Sequence, residues 1–487
     1  LSNLRAWNME PTRSEHLRIS EILPHLSYSA ELAKKLSRDH EPTLEIIKAY
    51  FAQQPQAYTE DLEQIERINK VTFPENRRAL IFVPAFNEEK NIASLLNQYT
   101  SQKMNGSIMN PELYEVCFVI NYPECPDHGE NAANAARFED AIDILLQKKK
   151  DNPNIHILPK KFKAGEGSLG RARKYGMDYC LWRLLKYKPD DIDKFTIISN
   201  EGDTISIPTD YLGSFMRLFA AGNNRFIQGR IEYPNELTST CEPLRLFTGI
   251  REAVHFGQGL ADDEFPYFDG IMPIGRNFAV SPRICAQVGG IDPVRRKDTD
   301  DDMNFGTDIH VLLGEHFKSV CPTPLVTNPR REVIIVRDIV AGRKQDAKKS
   351  YENFHENRFI YDLSYADVQM VVMNEIPKQV PSRPILCELA NQYFQWVLIS
   401  RYKARLGHSE GFSEIIRKHR EHSISYWEKE RQVCAAFERH LSKIKSSERC
   451  DLEERLVTEA INWFNKFVHP LGIKYGCTKD GLKSVLQ

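Results

Sequence analysis

The sequence contains no long hydrophobic run, and this absence argues against a membrane-spanning helix. No stretch of its 487 residues approaches the ~20 apolar residues that cross a bilayer. The opening segment, LSNLRAWNMEPTRSEH, carries charges where a secretory signal peptide needs an apolar core. We therefore expect a soluble, cytoplasmic protein.

Cysteine clusters and an excess of charge are also lacking. The ten cysteines form no CxxC pair and no Cys/His cluster with zinc-ligand spacing, which predicts free thiols in a reducing compartment. The 65 basic and 67 acidic residues give a net charge of −2, so we expect no nucleic-acid partner. Low-complexity tracts and internal repeats are absent too. The length predicts one main domain with additional segments.

Short β-rich runs alternate with longer helical segments through the middle of the chain. The alternation begins near Arg78 with ALIFVP and KNIASLLNQYT, continues through LYEVCFVIN and NIHILP, and reaches RFIQGRIEY. It predicts an α/β fold whose parallel sheet binds ligands at the carboxyl ends of its strands. We divide the chain into a helical region at 1–76, an α/β domain at 77–345 and a mostly helical region at 346–487.

The first informative motif is V-P-A-F-N-E-E at residues 83–89, where a strand ends and a helix begins. Asn87 is a suitable helix N-cap, and the glutamates after it suit the positive end of the helix dipole, so local structure alone explains the motif. The motif also resembles V-P-x-Y/F-N-E-E, the opening strand of family-2 glycosyltransferases. The resemblance implies that four residues contact a nucleotide: Pro84, Ala85, Phe86 and Glu88.

The second strand and a glycine-rich loop extend the resemblance. Asn121 stands at the end of the second strand, where the family usually has a base-reading carboxylate, which leaves uridine and guanosine donors both open. The loop KAGEGSLGRARKYG, residues 163–176, leads into a helix, and glycines before a helix allow close approach of phosphate, although such loops are also ordinary turns. The family's G-x-x-x-A-R-N-x-G segment implies that Arg173 or Lys163 faces a diphosphate, with Lys174 replacing the usual Asn.

The strongest feature is the strand FTIISN followed by E-G-D-T, residues 201–204. Because alternate strand residues point the same way, the two carboxylates suit a divalent cation shared with substrate phosphates. A solvated acidic turn is the alternative. The family's D-x-D-T, followed by P-x-Y-L, has the same layout. The resemblance implies that Asp203 binds Mg²⁺ or Mn²⁺, that Glu201 contacts the donor, and that His310 is a further candidate metal ligand.

A second acidic run, D-T-D-D-D-M-N-F-G at 298–306, follows a V-G-G-I-D turn. Such runs usually lie on solvated loops, but the family places E-D-x-D/E-L-G soon after a G-G-x-D turn. An inverting transferase needs a base to deprotonate the acceptor hydroxyl. The resemblance implies that Asp302, or alternatively Asp301, is that base. Four basic residues are candidates either for a mobile loop over the diphosphate or for a solvated face: Arg330, Arg331, Arg343 and Lys344.

These motifs occur in the family's order, which implies a GT-A, Rossmann-like fold and a metal-dependent hexosyltransferase. Its donor is expected to be a UDP- or GDP-sugar and its acceptor a carbohydrate or small molecule. The Q-x-x-R-W motif of processive members is absent, so we expect transfer of a single sugar. A catalytically silent sugar-nucleotide- or carbohydrate-binding scaffold is the alternative, followed by a sugar nucleotidyltransferase, whose G-x-G-x-R loop is missing. The C-terminal helices are candidates for a homodimer interface.

Overall fold

The computed structural model of the protein describes the chain from residue 41 to residue 381, with gaps. The described ranges are 41–69, 72–123, 128–163, 169–222, 225–245, 247–248, 277–291, 305–306, 309, 312–313, 318–343, 360 and 362–381. In these ranges no helix is both long and apolar enough to cross a membrane. The five cysteines within them are buried and free, as the lack of cysteine clusters predicts.

An eight-stranded sheet forms the centre of the described structure. The strands are β1 (Ala79–Ala85), β4 (Tyr114–Pro123), β5 (Ile155–Phe162), β6 (Thr196–Ser199), β7 (Thr204–Ser206), β8 (Phe226–Glu232), β9 (Phe278–Val280) and β10 (Lys318–Thr327). Their order is β5-β4-β1-β6-β9-β8-β10-β7. Only β9 and β7 run antiparallel to their neighbours in this sheet. The predicted α/β class is therefore confirmed, and the sheet, which was predicted to be parallel, is mostly parallel. A separate hairpin joins β2 (Lys103–Met104) to β3 (Ser107–Ile108).

Helices cover both faces of the sheet. They are α1 (Thr43–Ala52), α2 (Gln56–Asn69), α3 (Glu89–Thr100), α4 (His128–Lys149), α5 (Leu169–Tyr187), α6 (Tyr211–Ala220), α7 (Asn235–Thr238), α8 (Pro282–Gln287), α9 (Arg330–Val340) and α10 (Tyr365–Glu375). Every residue of β1 is buried. Leu80 and Phe82 pack in one hydrophobic core, and Ile81 and Val83 pack in the other, because alternate side chains leave opposite faces of a strand.

The described N-terminal helices pack closely against α5. Tyr50 and Tyr58 each donate a hydrogen bond to Asp178, at 2.7 and 2.8 Å. Lys174, which replaces the family's Asn, donates to Tyr50 Oη and to Asp178, both at 2.8 Å. Lys174 therefore connects α5 to α1, and its ammonium also lies 5.5 Å from the centre of the Tyr58 ring on α2. The domain division at residue 76 stays a prediction.

A buried ionic network also connects α2 to the sheet. Arg183 on α5 makes a bidentate pair with Glu115 on β4, at 2.7 and 3.1 Å, and pairs with Glu66 on α2. His156 on β5 lies 3.4 Å from Glu115. Burial and the nearby Arg183 lower the pKa of His156 to about 4, so the imidazole is neutral at physiological pH.

Strand β10 was not predicted from the sequence. It contains Pro322 and Pro324, and proline cannot donate to a strand ladder. The structure accommodates them with a shift in the β8–β10 register between Cys321 and Pro324. This bulge lets the strand continue to Thr327, directly beside the acidic turn.

Candidate functional site

Two of the sequence motifs meet at the carboxyl edge of the sheet. Strands β1, β4 and β6 are parallel neighbours, so the residues that follow them lie at one edge. There the backbone N–H of Gly202 donates to the carbonyl of Pro84 at 2.9 Å. A Cβ atom on Gly202 would lie 2.9 Å from Ala85 Cβ, so this close approach requires glycine. The acidic turn thus packs directly on the turn that follows β1.

The acidic turn is shaped by two asparagine side chains, one buried (Asn200) and one half-buried (Asn91). Asn200 Oδ1 accepts hydrogen bonds from the Glu201 N–H and the Thr204 hydroxyl, both at 2.7 Å. Asn91, in the first turn of α3, donates to the carbonyls of Gly202 and Thr204, at 2.5 and 2.9 Å. These bonds hold the backbone of residues 200–204 in a defined turn, although no prediction named either asparagine for this role. Asparagine next to an acidic turn is the available sequence signal.

Glu201 is paired with Arg173 rather than with its neighbour in the motif. The Arg173 guanidinium forms an ion pair and hydrogen bond with the Glu201 carboxylate, and only 3% and 8% of their side chains are exposed. Arg173 lies on α5 and neutralises the first acid of the motif. Its contact with a diphosphate, for which Lys163 is the alternative, stays a prediction.

Asp203 has a different set of neighbours. Its Oδ1 accepts from the Thr327 hydroxyl at 3.1 Å, and its carbonyl accepts from the Asn328 N–H at 3.1 Å. Its Oδ2 lies 3.6 Å from Arg330 Nη2. Each carboxylate of the motif lies beside an arginine of its own, Glu201 beside Arg173 and Asp203 beside Arg330. The binding of a divalent cation at Asp203 stays a prediction.

Arg330 joins Asp203 to the turn after β1. Its Nη2 donates to Glu88 Oε1 at 2.6 Å, and both side chains are 8% exposed. Burial raises the pKa of Glu88 to about 7; the charge of Arg330 opposes this shift and that of Asp203 adds to it. Arg330 is the first residue of α9, so it does not lie on a loop as one sequence hypothesis held. Arg343 pairs with Asp338 at 2.7 Å.

The turn after β1 also contacts residues that lie outside the two motifs, through the side chain of Asn87. Asn87 does not act as the N-cap of α3, which is Glu88; instead Asn87 has a left-handed backbone with φ 56°. Its side chain donates to Asp362 at 2.9 Å and to Asn134 at 3.3 Å. Asp362 also pairs with Arg137 of α4. The segment before α10 therefore returns to the edge of the candidate site.

The other candidate donor contacts surround the same edge. Phe86 is half-buried against the core, and Lys163 is exposed just after β5. Asn121 on β4 is 6% exposed, and its Oδ1 has no hydrogen-bond partner in the described structure. A buried amide oxygen without a donor is costly, which makes Asn121 a candidate contact for a ligand N–H.

The chain has little detectable similarity to known proteins. No protein-family model matches it. No curated protein matches it either. Among solved structures it is similar to S. aureus TarS 1–349, with a TM-score of 0.32 and 11% identity over 68% of this chain and 93% of that one. For S. aureus TarS 1–349 in complex with UDP-GlcNAc, the TM-score is 0.30 and the identity 9%, over 65% and 81%. At these values the similarity establishes neither the function nor a ligand of this chain.

Three predicted site residues lie outside the described residues: Asp301, Asp302 and His310. Lys344 and the C-terminal helices proposed for a homodimer lie outside them too. Within the described ranges, no group of three or more His, Cys, Asp or Glu side chains could hold a metal ion. Of the two predicted metal ligands, Asp203 lies within the described residues, and its side chain is 12% exposed.

The contact between Arg330 and Glu88 was also not predicted from the sequence. Arg330 lies 242 positions after Glu88 along the chain, and several strands come between the two residues in the sequence. Such a contact has no periodicity or motif spacing to reveal it. Its position follows only from the placement of α9 directly after β10.

Proposed function

We propose that the protein is a glycosyltransferase with a GT-A-type fold that transfers a single sugar from a UDP- or GDP-sugar to an acceptor hydroxyl. The observation that carries the proposal is the packing of the acidic turn on the turn after β1, through the Gly202–Pro84 hydrogen bond of 2.9 Å. Open α/β sheets bind their ligands at this carboxyl edge. The two motifs of the resemblance thereby lie in contact at this edge of the sheet.

The charges at this edge support a role for a divalent cation. Among the ion-paired side chains of the two turns, three carboxylates and two guanidiniums leave one net negative charge when all are ionised: Glu88, Glu201, Asp203, Arg173 and Arg330. A nucleotide diphosphate would add two more negative charges. Mg²⁺ and Mn²⁺ are bound by one or two carboxylates together with substrate phosphates, so Asp203 fits the requirement. When bound, the ion supplies charge stabilisation to the departing diphosphate.

Other residues of the chain would recognise the base, stabilise the leaving group and take the proton of the acceptor hydroxyl. Asn121 Oδ1 is suited to accept the ring N–H of uracil or guanine, so it supports both donor classes. Arg173 and Arg330 are the buried cations that would stabilise negative charge near the leaving group. Asp302, with Asp301 as the alternative, is proposed as the base that takes the acceptor proton during inversion.

The test is binding and turnover of a panel of UDP- and GDP-sugars with Mn²⁺, with Mg²⁺ and with EDTA. Asp203→Ala should lose metal-dependent binding, and Asp302→Ala should keep binding but lose turnover. Asp191→Ala is the matched control, because Asp191 is an exposed carboxylate at the opposite edge of the sheet, before β6. It should behave as the unaltered protein.

Two results would contradict parts of the proposal. Failure to bind any sugar nucleotide under every metal condition would refute the assigned site. Metal-dependent binding without hydrolysis or transfer to any acceptor tested would favour the silent sugar-nucleotide-binding scaffold. A silent scaffold would bind the sugar nucleotide at the same site, so Asp203→Ala should still abolish its metal-dependent binding of the sugar nucleotide.

A further inference from the structure

We propose that Arg330 competes with the divalent ion for Asp203, so that the ion binds well only together with the sugar nucleotide. This inference rests on the proposed function and adds a residue that sets the order of binding. Arg330 is a positioning residue in this scheme, because it acts through the Asp203 carboxylate.

The first step of the argument is the position of the guanidinium. Arg330 Nη2 lies 3.6 Å from Asp203 Oδ2, and the arginine is 8% exposed. A divalent ion on that carboxylate would therefore meet a fixed positive charge a few ångströms away. Buried charges are screened little by solvent, so the repulsion weakens binding of the ion alone.

The second step concerns Glu88, which holds the same guanidinium from the other side. The Arg330–Glu88 contact is 2.6 Å, and it is 1.0 Å shorter than the Arg330–Asp203 contact of 3.6 Å. Glu88 is anchored in the turn after β1, and Asp203 in the turn after β6. Glu88 thus draws the guanidinium away from Asp203. Removal of Glu88 should make Asp203 the main carboxylate partner of Arg330.

The third step is the effect of the donor. A diphosphate would bring negative charge to the same edge of the sheet and would offer oxygen ligands to the ion and hydrogen-bond acceptors to the guanidinium. Its arrival offsets the repulsion between Arg330 and the ion. The free-energy coupling between the two ligands must be reciprocal, so the ion tightens nucleotide binding by the same factor.

The test is titration calorimetry of Mn²⁺ into the full chain, alone and with saturating UDP or GDP. In the unaltered protein we expect the nucleotide to raise Mn²⁺ affinity by at least about fivefold, the lower end of typical couplings. Arg330→Gln should raise the affinity for Mn²⁺ alone and reduce the coupling. Glu88→Gln should lower the affinity for Mn²⁺ alone, because Arg330 then pairs mainly with Asp203.

Opposite changes in Mn²⁺ affinity in Arg330→Gln and Glu88→Gln would distinguish this role from a purely structural one. A merely structural contact predicts that both variants lose Mn²⁺ affinity together, and that result would overturn the inference. Arg330→Lys keeps the charge and should retain the coupling; its loss would also contradict the inference. If the unaltered protein binds no Mn²⁺ with either nucleotide, the proposed function falls as well. If it shows coupling that Arg330→Gln leaves intact, only this inference falls.

Discussion

Gly202→Ala should damage the candidate site without removing any charged group. The added Cβ would lie 2.9 Å from Ala85 Cβ and 3.1 Å from Ala85 Cα. Carbon atoms normally pack at about 3.5–4.0 Å, so the acidic turn must move by roughly 0.5–1 Å. Overpacking of this kind costs about 1–3 kcal/mol of stability, and a misplacement of 1 Å can cost about 100-fold in turnover.

The assay combines thermal unfolding with the binding of UDP- and GDP-sugars in the presence of Mn²⁺. Gly106→Ala is the matched control, because no atom lies within 4 Å of its added Cβ. Its φ of 82° adds backbone strain at the β2–β3 turn, which should cost about 1 kcal/mol without altering binding. If Gly202→Ala binds and unfolds as the unaltered protein does, the packing of the acidic turn on Ala85 does not control the site.

Three further predictions concern buried charges. Arg183→Met leaves Glu66 buried without its arginine and Glu115 with only the more distant Arg77, at 3.7 Å, so urea unfolding should show a loss of about 3–5 kcal/mol, and a loss below 1 kcal/mol would contradict the network. His156 has its pKa lowered from 6.5 to about 4. The unfolded state therefore binds its proton more readily, and stability should fall by about 3 kcal/mol as pH drops from 6.5 to 4. His156→Gln should remove that slope in denaturation curves measured across this range. Glu88 has its pKa raised from 4.5 to about 7, so its contribution has the opposite sign: about 3 kcal/mol is lost as pH rises through this window, and Glu88→Gln should abolish the loss.

The strands that build the sheet could be predicted because their sequences are nearly continuous apolar runs. ALIFVPA forms β1, and both of its faces are buried. The same reasoning located β4 and β6, and the alternation of β-rich runs with helices located the more polar β5 (IHILPKKF) and β8 (FIQGRIE). It failed for β10, because Pro322 and Pro324 contradict a strand pattern until a neighbouring strand accommodates the register shift.

The roles of individual side chains were less predictable than the strands. Asn87 has the residue type of an N-cap, yet its left-handed backbone and its bonds to Asn134 and Asp362 give it another role. Lys174 differs from the Asn of the family's donor-site motif, yet it donates hydrogen bonds to Tyr50 and Asp178. In each case a partner distant in sequence decides where the side chain goes.

The sequence by itself determined that an acidic turn follows a buried strand and that a polar turn follows β1. Parallel order then brought both to one edge, because parallel strands share their carboxyl ends. Only the tertiary structure decided how the charges are paired. Arg173 neutralises Glu201 and Arg330 joins Glu88 to Asp203, since α5 and α9 carry these guanidiniums to the turn. Coulomb interactions depend on distance in space, which the spacing of residues along a chain does not specify.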